Sequence, residues 1–206
     1  MTMPTWLGAA LASVAFAGAA HASDIQLTFD ADAQGVSAVG GTLSHDASGY
    51  LVQSDVDGGI MSLYLPSSLL GNWSRFMGGT LSFDAVNLSG VASDWGDFGR
   101  VTLTGSAGEV SFDLAPGSAP DARWTTFSAD LTPANWGGNL SAVLANVTSV
   151  SVSLESHDGY GPANSEVNGF DNFKVSASAV PEPSTWALLA TGLAVLACIH
   201  RRRSRH

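Results

Sequence analysis

Short runs of alternating apolar and polar residues recur through the middle of this chain and constrain its fold more than any other feature. A period of two puts every second side chain on one face of an extended strand, so each run predicts a strand with one buried face. Ile25-Gln26-Leu27-Thr28-Phe29 opens the series, followed by Tyr50-Leu51-Val52-Gln53, residues 60–65 and residues 81–86. Residues 100–104 and 109–114 alternate in step on either side of Gly105-Ser106-Ala107-Gly108, which predicts a hairpin whose loop glycines take positive φ. Residues 124–131, 147–154 and 169–175 complete the series. Residues 139–145 read as the one short helix, with Asn139 at its N-cap. Short strands joined by loops of Gly, Asp, Ser and Pro predict an all-β fold, an antiparallel sandwich of two sheets. The sequence shows no internal repeat.

The two ends have a different character. Residues 1–22 hold an apolar stretch and finish in Ala20-His21-Ala22, the small-x-small pattern of a signal peptidase site, so cleavage is expected after Ala22. The stretch before the apolar run lacks Lys and Arg, which leaves the terminal amine as its only positive charge. At the other end Pro181-Glu182-Pro183 precedes the uncharged run 185–199, which leads into His200, Arg201, Arg202, Arg203, Ser204 and Arg205. The run is short for a membrane span of roughly 17–25 residues, and flanking Trp186 and snorkelling arginines extend it to both interfaces. The arginines mark the cytoplasmic side, so the chain before Pro181 lies across the membrane. Cys198 within the run reads as a small apolar filler.

Pro-Glu-Pro, a short apolar helix and an Arg cluster, in that order, resemble the PEP-CTERM sorting tail over residues 181–206. The resemblance implies a bacterial exported protein whose tail an exosortase recognises and removes, in the setting of extracellular polysaccharide production. An ordinary C-terminal anchor that is never cut is the alternative.

Between the ends lie residues 23–180, enough chain for one domain with a sizeable core. With 17 acids against 4 bases this stretch carries a formal charge of −13, the wrong sign for binding nucleic acid. It has no cysteine, so no disulfide holds it. Within it Trp73, Gly78-Gly79-Thr80-Leu81-Ser82-Phe83, the hairpin at 101–105, Trp124, Trp136, residues 143–150 and Gly169-Phe170-Asp171-Asn172-Phe173 resemble the laminin B (domain IV) module. That resemblance implies a jelly-roll-like sandwich and an extracellular structural role; it also implies that Trp73, Trp124 and Trp136 fill the core.

Candidate sites follow from residue type. His45 and His157 have no nucleophile turn near them and read as solvated loop histidines, which argues against a serine or cysteine hydrolase. Glu155, Asp158 and Glu166 share one long loop, but a glycosidase needs two carboxylates facing each other across a sugar, a spacing the sequence does not give. Asp30 at the end of the first strand and Asp171 in the last are candidate ligands for a structural calcium ion, since terminal strands of a jelly roll are often neighbours. Asp55-Val56-Asp57-Gly58-Gly59 reads as a turn. Trp95 and Tyr160, both among Gly and Asp in loops, are the candidate glycan-stacking rings. The reading is a non-enzymatic exported protein of the cell surface or extracellular matrix, structural or adhesive, whose partners are signal peptidase, exosortase, the membrane and extracellular polysaccharide. A carbohydrate-binding module with a defined glycan site is the alternative, and a hydrolase comes third.

Overall fold

The structure is a computed structural model that describes residues 24–117, 120–159, 165–178 and 191–193. The expected signal peptide, Tyr160, and the tail residues Pro181, Glu182, Pro183, Arg201, Arg202 and Arg203 lie outside the described residues. Of the tail only residues 191–193 are described, in a helical turn, and no helix among the described residues is long and apolar enough to cross a membrane.

Eleven strands are described: β1 (Ile25–Leu27), β2 (Ser37–Val39), β3 (Gly41–Asp46), β4 (Tyr50–Asp55), β5 (Ser62–Tyr64), β6 (Thr80–Asn87), β7 (Arg100–Gly105), β8 (Gly108–Asp113), β9 (Thr125–Asp130), β10 (Val147–Ser153) and β11 (Val167–Ser176). They form two antiparallel sheets, one ordered β3-β4-β11-β6-β9 with β1 also on β11, the other β2-β5-β10-β7-β8. The expected two-sheet antiparallel sandwich is the observed architecture. β11 is the axis of the six-stranded sheet. Along one edge it pairs with β6; along the other, Val167 to Phe170 pair with β4 and Phe173 to Val175 with β1, so those two strands lie end to end.

Alternation sets what each strand buries. Leu81, Phe83 and Ala85 of β6 face the core while Ser82 and Asp84 face out, and Leu103 and Val101 of β7 face the core while Thr102 and Thr104 face out. The centre is aromatic: the Phe83 ring lies 5.2 Å from Phe170 and 5.6 Å from Phe127, and Phe29 lies 6.0 Å from Phe170. Leu63, Val150 and Val152 of the opposite sheet belong to the same buried core.

Several expectations need correction. β2 and most of β3 carry no strong apolar period; these are edge strands held by pairing with β5 and β4. The hairpin is tighter than expected, because Gly105 and Gly108 pair with each other and leave Ser106-Ala107 as a two-residue turn. Gly108 takes φ +112, whereas Gly105 is needed for contact: a Cβ there would lie 2.7 Å from the Asn146 carbonyl oxygen and 2.8 Å from that of Val143. Those carbonyls belong to the end of α2 (Leu140–Leu144), which follows a single turn, α1 (Pro133–Trp136), and sits over the hairpin. Asn139 precedes α2, but its backbone is already helical and its side chain caps nothing; its amide nitrogen donates to Ala107 O at 2.9 Å instead.

Trp73 and Trp136 are core residues as expected, while Trp124 is 44% exposed. The reason is register. Phe127, Ala129 and Leu131 turn their odd-numbered positions inward, which sends Trp124, Thr126 and Ser128 outward. Gln53 inverts the expected pattern of its strand: it is buried, and its amide donates to Val39 O at 2.8 Å, tying β4 to the chain of the other sheet.

Candidate functional site

The end of β1 and the start of β4 meet on β11 at Asp171 and Asn172. Here β11 shifts register against β6 between Asp171 and Lys174, and Asn172 takes φ 50, a left-handed conformation that Asn tolerates better than most residues. Phe29, beside it at the end of β1, takes φ 52, and a bulky residue held there stores strain. The Phe29 carbonyl accepts from His45 Nε2 at 2.6 Å, so His45 is a strand residue engaged with the backbone rather than a solvated loop histidine. Asp171 pairs with Asp84 across the strands; its carboxyl is pushed above the usual range by burial, with the charges of Asp84 and Asp30 adding to the effect. Asp84 accepts from Thr126 Oγ1 at 2.5 Å and from Asn172 Nδ2 at 2.9 Å, while Thr28 Oγ1 donates to Asp30 Oδ2 at 2.6 Å. The fold therefore brings Asp30 and Asp171 into electrostatic reach of one another. Among the described residues no group of three or more His, Cys, Asp or Glu side chains is arranged to hold a metal, so a calcium ion here would draw on backbone carbonyls as well.

Trp95 and the 154–159 segment lie together at the far end of the sandwich. Asp94 N and Trp95 N both donate to Ser156 O, Asp158 N donates to Asp94 Oδ1 at 2.8 Å, and His157 Nδ1 sits 2.8 Å from the same carboxylate oxygen. The His157 side chain is thus packed against Asp94, contrary to the solvated reading. Trp95 is half-buried, and its indole nitrogen is buried without a hydrogen-bond partner. Asp55 to Gly59 form the expected turn, with Asp57 N donating to Asp55 Oδ1 and Gly59 N to Asp57 Oδ1.

Beneath this end lies a buried acidic cluster that the sequence places only in a loop. Glu155 Oε2 accepts from Met61 N at 2.7 Å, and Glu166 Oε2 accepts from the Ser156 amide at 2.8 Å and from its hydroxyl. Glu166 Oε1 is buried and meets no donor, as suits a carboxyl that holds its own proton and offers it to the neighbouring Glu155 carboxylate. Burial raises both carboxyls, Glu166 to about 7, with the nearby Asp55 carboxylate adding to the rise in each and Glu155 adding to that of Glu166. A glycosidase pair stands roughly 5–10 Å apart with a sugar between. Glu155 and Glu166 are only 8% and 1% exposed, so they offer no open gap of that kind.

The outer face of the six-stranded sheet holds a feature the sequence reading missed. Trp124 lies over Gly169 and Val86: a Cβ on Gly169 would be 2.7 Å from Val86 Cγ1 and 3.1 Å from the indole ring. Its ring stands edge-on to Tyr50, centroids 5.1 Å apart at 74°. The signal was present in the odd-even phase of residues 127–131.

The fold defines a class: a two-sheet antiparallel jelly-roll-like module. A PEP-CTERM protein-sorting motif matches residues 179–203, which implies export, a membrane-anchoring tail and handling by an exosortase. No curated protein matches the chain. Among solved structures, the L4b domain of human laminin alpha-2 is similar over 77% of this chain and 98% of its own, at 8% identity and TM-score 0.55. An exo-beta-agarase is similar over 76% of this chain, at 14% identity and TM-score 0.56, and the match spans 25% of the agarase chain. The family 11 carbohydrate-binding module of a Clostridium thermocellum cellulase is a weaker likeness, at 16% identity and TM-score 0.42 over 81% of this chain and 94% of its own. At these identities the likeness is one of fold.

Proposed function

We propose that this protein is a non-catalytic component of the cell surface or extracellular matrix, working with extracellular polysaccharide as a structural or adhesive unit. In this reading residues 1–22 are removed by signal peptidase, residues 23–180 are the working sandwich, and residues 181–206 are the exosortase-read tail. The sorting-motif match over residues 179–203 carries the proposal. Replacing Pro181, Glu182 and Pro183 with Ala in native cells tests it. Intact mass should show a wild-type chain lacking Arg201, Arg202 and Arg203 and a variant that keeps them; a wild-type surface protein that retains the arginines overturns the processing step.

The second reading is a carbohydrate-binding module. It is supported by the stitching of the Trp95 loop to the 154–159 segment through Asp94, which holds one candidate ring in place; the other, Tyr160, lies outside the described residues. A calcium ion at Asp30 and Asp171 belongs to either reading: it would neutralise the carboxylates where β1 and β4 meet and join the first strand to the last.

A further inference from the structure

Trp124 and Tyr50 form a ledge on the outer face of the six-stranded sheet, built from side chains other than those of the Trp95 loop. Trp124 is the one large apolar side chain among the described residues that stands exposed on that face; the other exposed large hydrophobics lie on β2, β5, loops or the tail turn. The ring is supported from below, since Gly169 has no side chain and Val86, at an outward position of β6, is covered to 4% exposure. Its free face looks into solvent. Neither the indole nitrogen of Trp124 nor the hydroxyl of Tyr50 has a hydrogen-bond partner among the described residues.

The surroundings define the occupant. Asp46 pairs with Tyr50, Leu51 with Phe170, Asp171 with Asp84 and Asp84 with Thr126, so a row of carboxylates and a hydroxyl crosses the sheet beside the rings. Ser44 and Ser54 flank the ledge on the outer faces of β3 and β4. A stable protein interface needs roughly 1,200–2,000 Å² of buried surface with an apolar centre, and one indole bordered by small polar groups does not supply it. One aromatic face bordered by acceptors suits a sugar ring, whose C–H face packs on the indole while its hydroxyls donate to carboxylates. The carboxylate row repels uronate or sulfate groups.

We infer that the Tyr50–Trp124 ledge over Gly169 is a binding site for one strand of a neutral polysaccharide. The inference rests on the carbohydrate-binding reading and moves its site from the end loops to the sheet face. The test uses the exported protein recovered from native cells, titrated with the cells' own soluble polysaccharide, with hydroxyethyl cellulose and agarose oligosaccharides as neutral probes, and with alginate as a polyanion, followed by calorimetry and tryptophan fluorescence. Saturable binding to a neutral probe or to the native polysaccharide is expected, with Trp124→Leu raising Kd at least tenfold and no binding to alginate. Leu keeps an apolar cover over Val86 and Gly169, and a thermal melt reports whether it folds. Tyr50→Leu, which changes the half-exposed second ring, gives an independent readout with a severalfold loss. If Trp95→Ala abolishes binding while Trp124→Leu does not, the glycan reading stands and this site is wrong. A wild-type protein that binds none of the saccharides ends both. A preference for alginate refutes the neutral ligand, and a change of oligomeric state in Trp124→Leu would make the ledge a contact between copies.

Discussion

Replacing Glu166 with Gln should stabilise the protein at neutral pH and remove much of its pH dependence. Glu166 is 1% exposed, and burial lifts its carboxyl from 4.5 to about 7. Below pH 4.5 the folded and unfolded chains both hold the proton, so its contribution is intact. Between 4.5 and about 7 the unfolded chain releases the proton while the folded one keeps it, and stability falls as pH rises. At 1.36 kcal/mol for each pH unit, that interval costs about 3 kcal/mol, fully lost above pH 7. Gln can keep the local bonding: its oxygen accepts from the Ser156 amide and hydroxyl, and its nitrogen donates to Glu155 in place of the shared proton. Urea unfolding of wild type and Glu166→Gln at pH 4.5, 6 and 8 measures this, with equal m-values as the check that the same transition is compared. The two should match at pH 4.5, and the variant should gain about 3 kcal/mol at pH 8. A variant that loses stability with pH as steeply as wild type, or is weaker at pH 8, refutes the argument.

Three other outcomes follow from the packing. Calcium should raise Tm, by the equivalent of about 2.7 kcal/mol at a hundredfold excess over Kd, and Asp171→Asn should abolish the rise; a melt unmoved by calcium or chelator removes the ion from the Asp30 and Asp171 corner. Phe83→Ala, which empties a site between the Phe127 and Phe170 rings, should cost about 3–5 kcal/mol in urea unfolding, and a cost under 1 kcal/mol would contradict the central place given to that ring. Gly105→Ala should cost about 1–3 kcal/mol, because the new methyl meets two backbone carbonyls rather than a movable side chain; an unchanged midpoint would mean that the end of α2 yields freely.

What the sequence revealed divides along physical lines. β6, β7 and β10 were legible because each buries one face against the other sheet, and burial imposes the period. β2 was not, because an edge strand of three residues is held by backbone pairing with β5, which leaves no trace in side-chain type. Trp124 shows a different failure: the laminin B resemblance implied core, whereas the phase set by Phe127 and Ala129 put it outside, and phase prevailed because an inward Trp124 would break the pairing of Thr125 with Ala85. Asp30 and Asp171 were brought near one another from the expectation that terminal strands are neighbours, and β1 does pair with β11. The Glu155 and Glu166 pair could not be read, since its partners Met61 N and Ser156 N are backbone groups positioned only by the folded loops.

The position of β11 has a consequence for how the protein crosses a membrane. A chain exported from its N-terminus delivers β1, β4 and β6 first, yet none of the three pairs with another: each waits for β11, whose last residue is Ser176. The first strand therefore stays without its partner until nearly the entire domain has emerged, and by then the next segment is the tail. Four residues lie between Ser176 and Pro181, five Cα steps with a reach of at most about 18 Å. Completion of the sheet is thus timed to the arrival of the sorting signal at the bilayer. A chain stalled or truncated before residue 167 would reach the far side with three open strand edges, an aggregation-prone species rather than a smaller working domain.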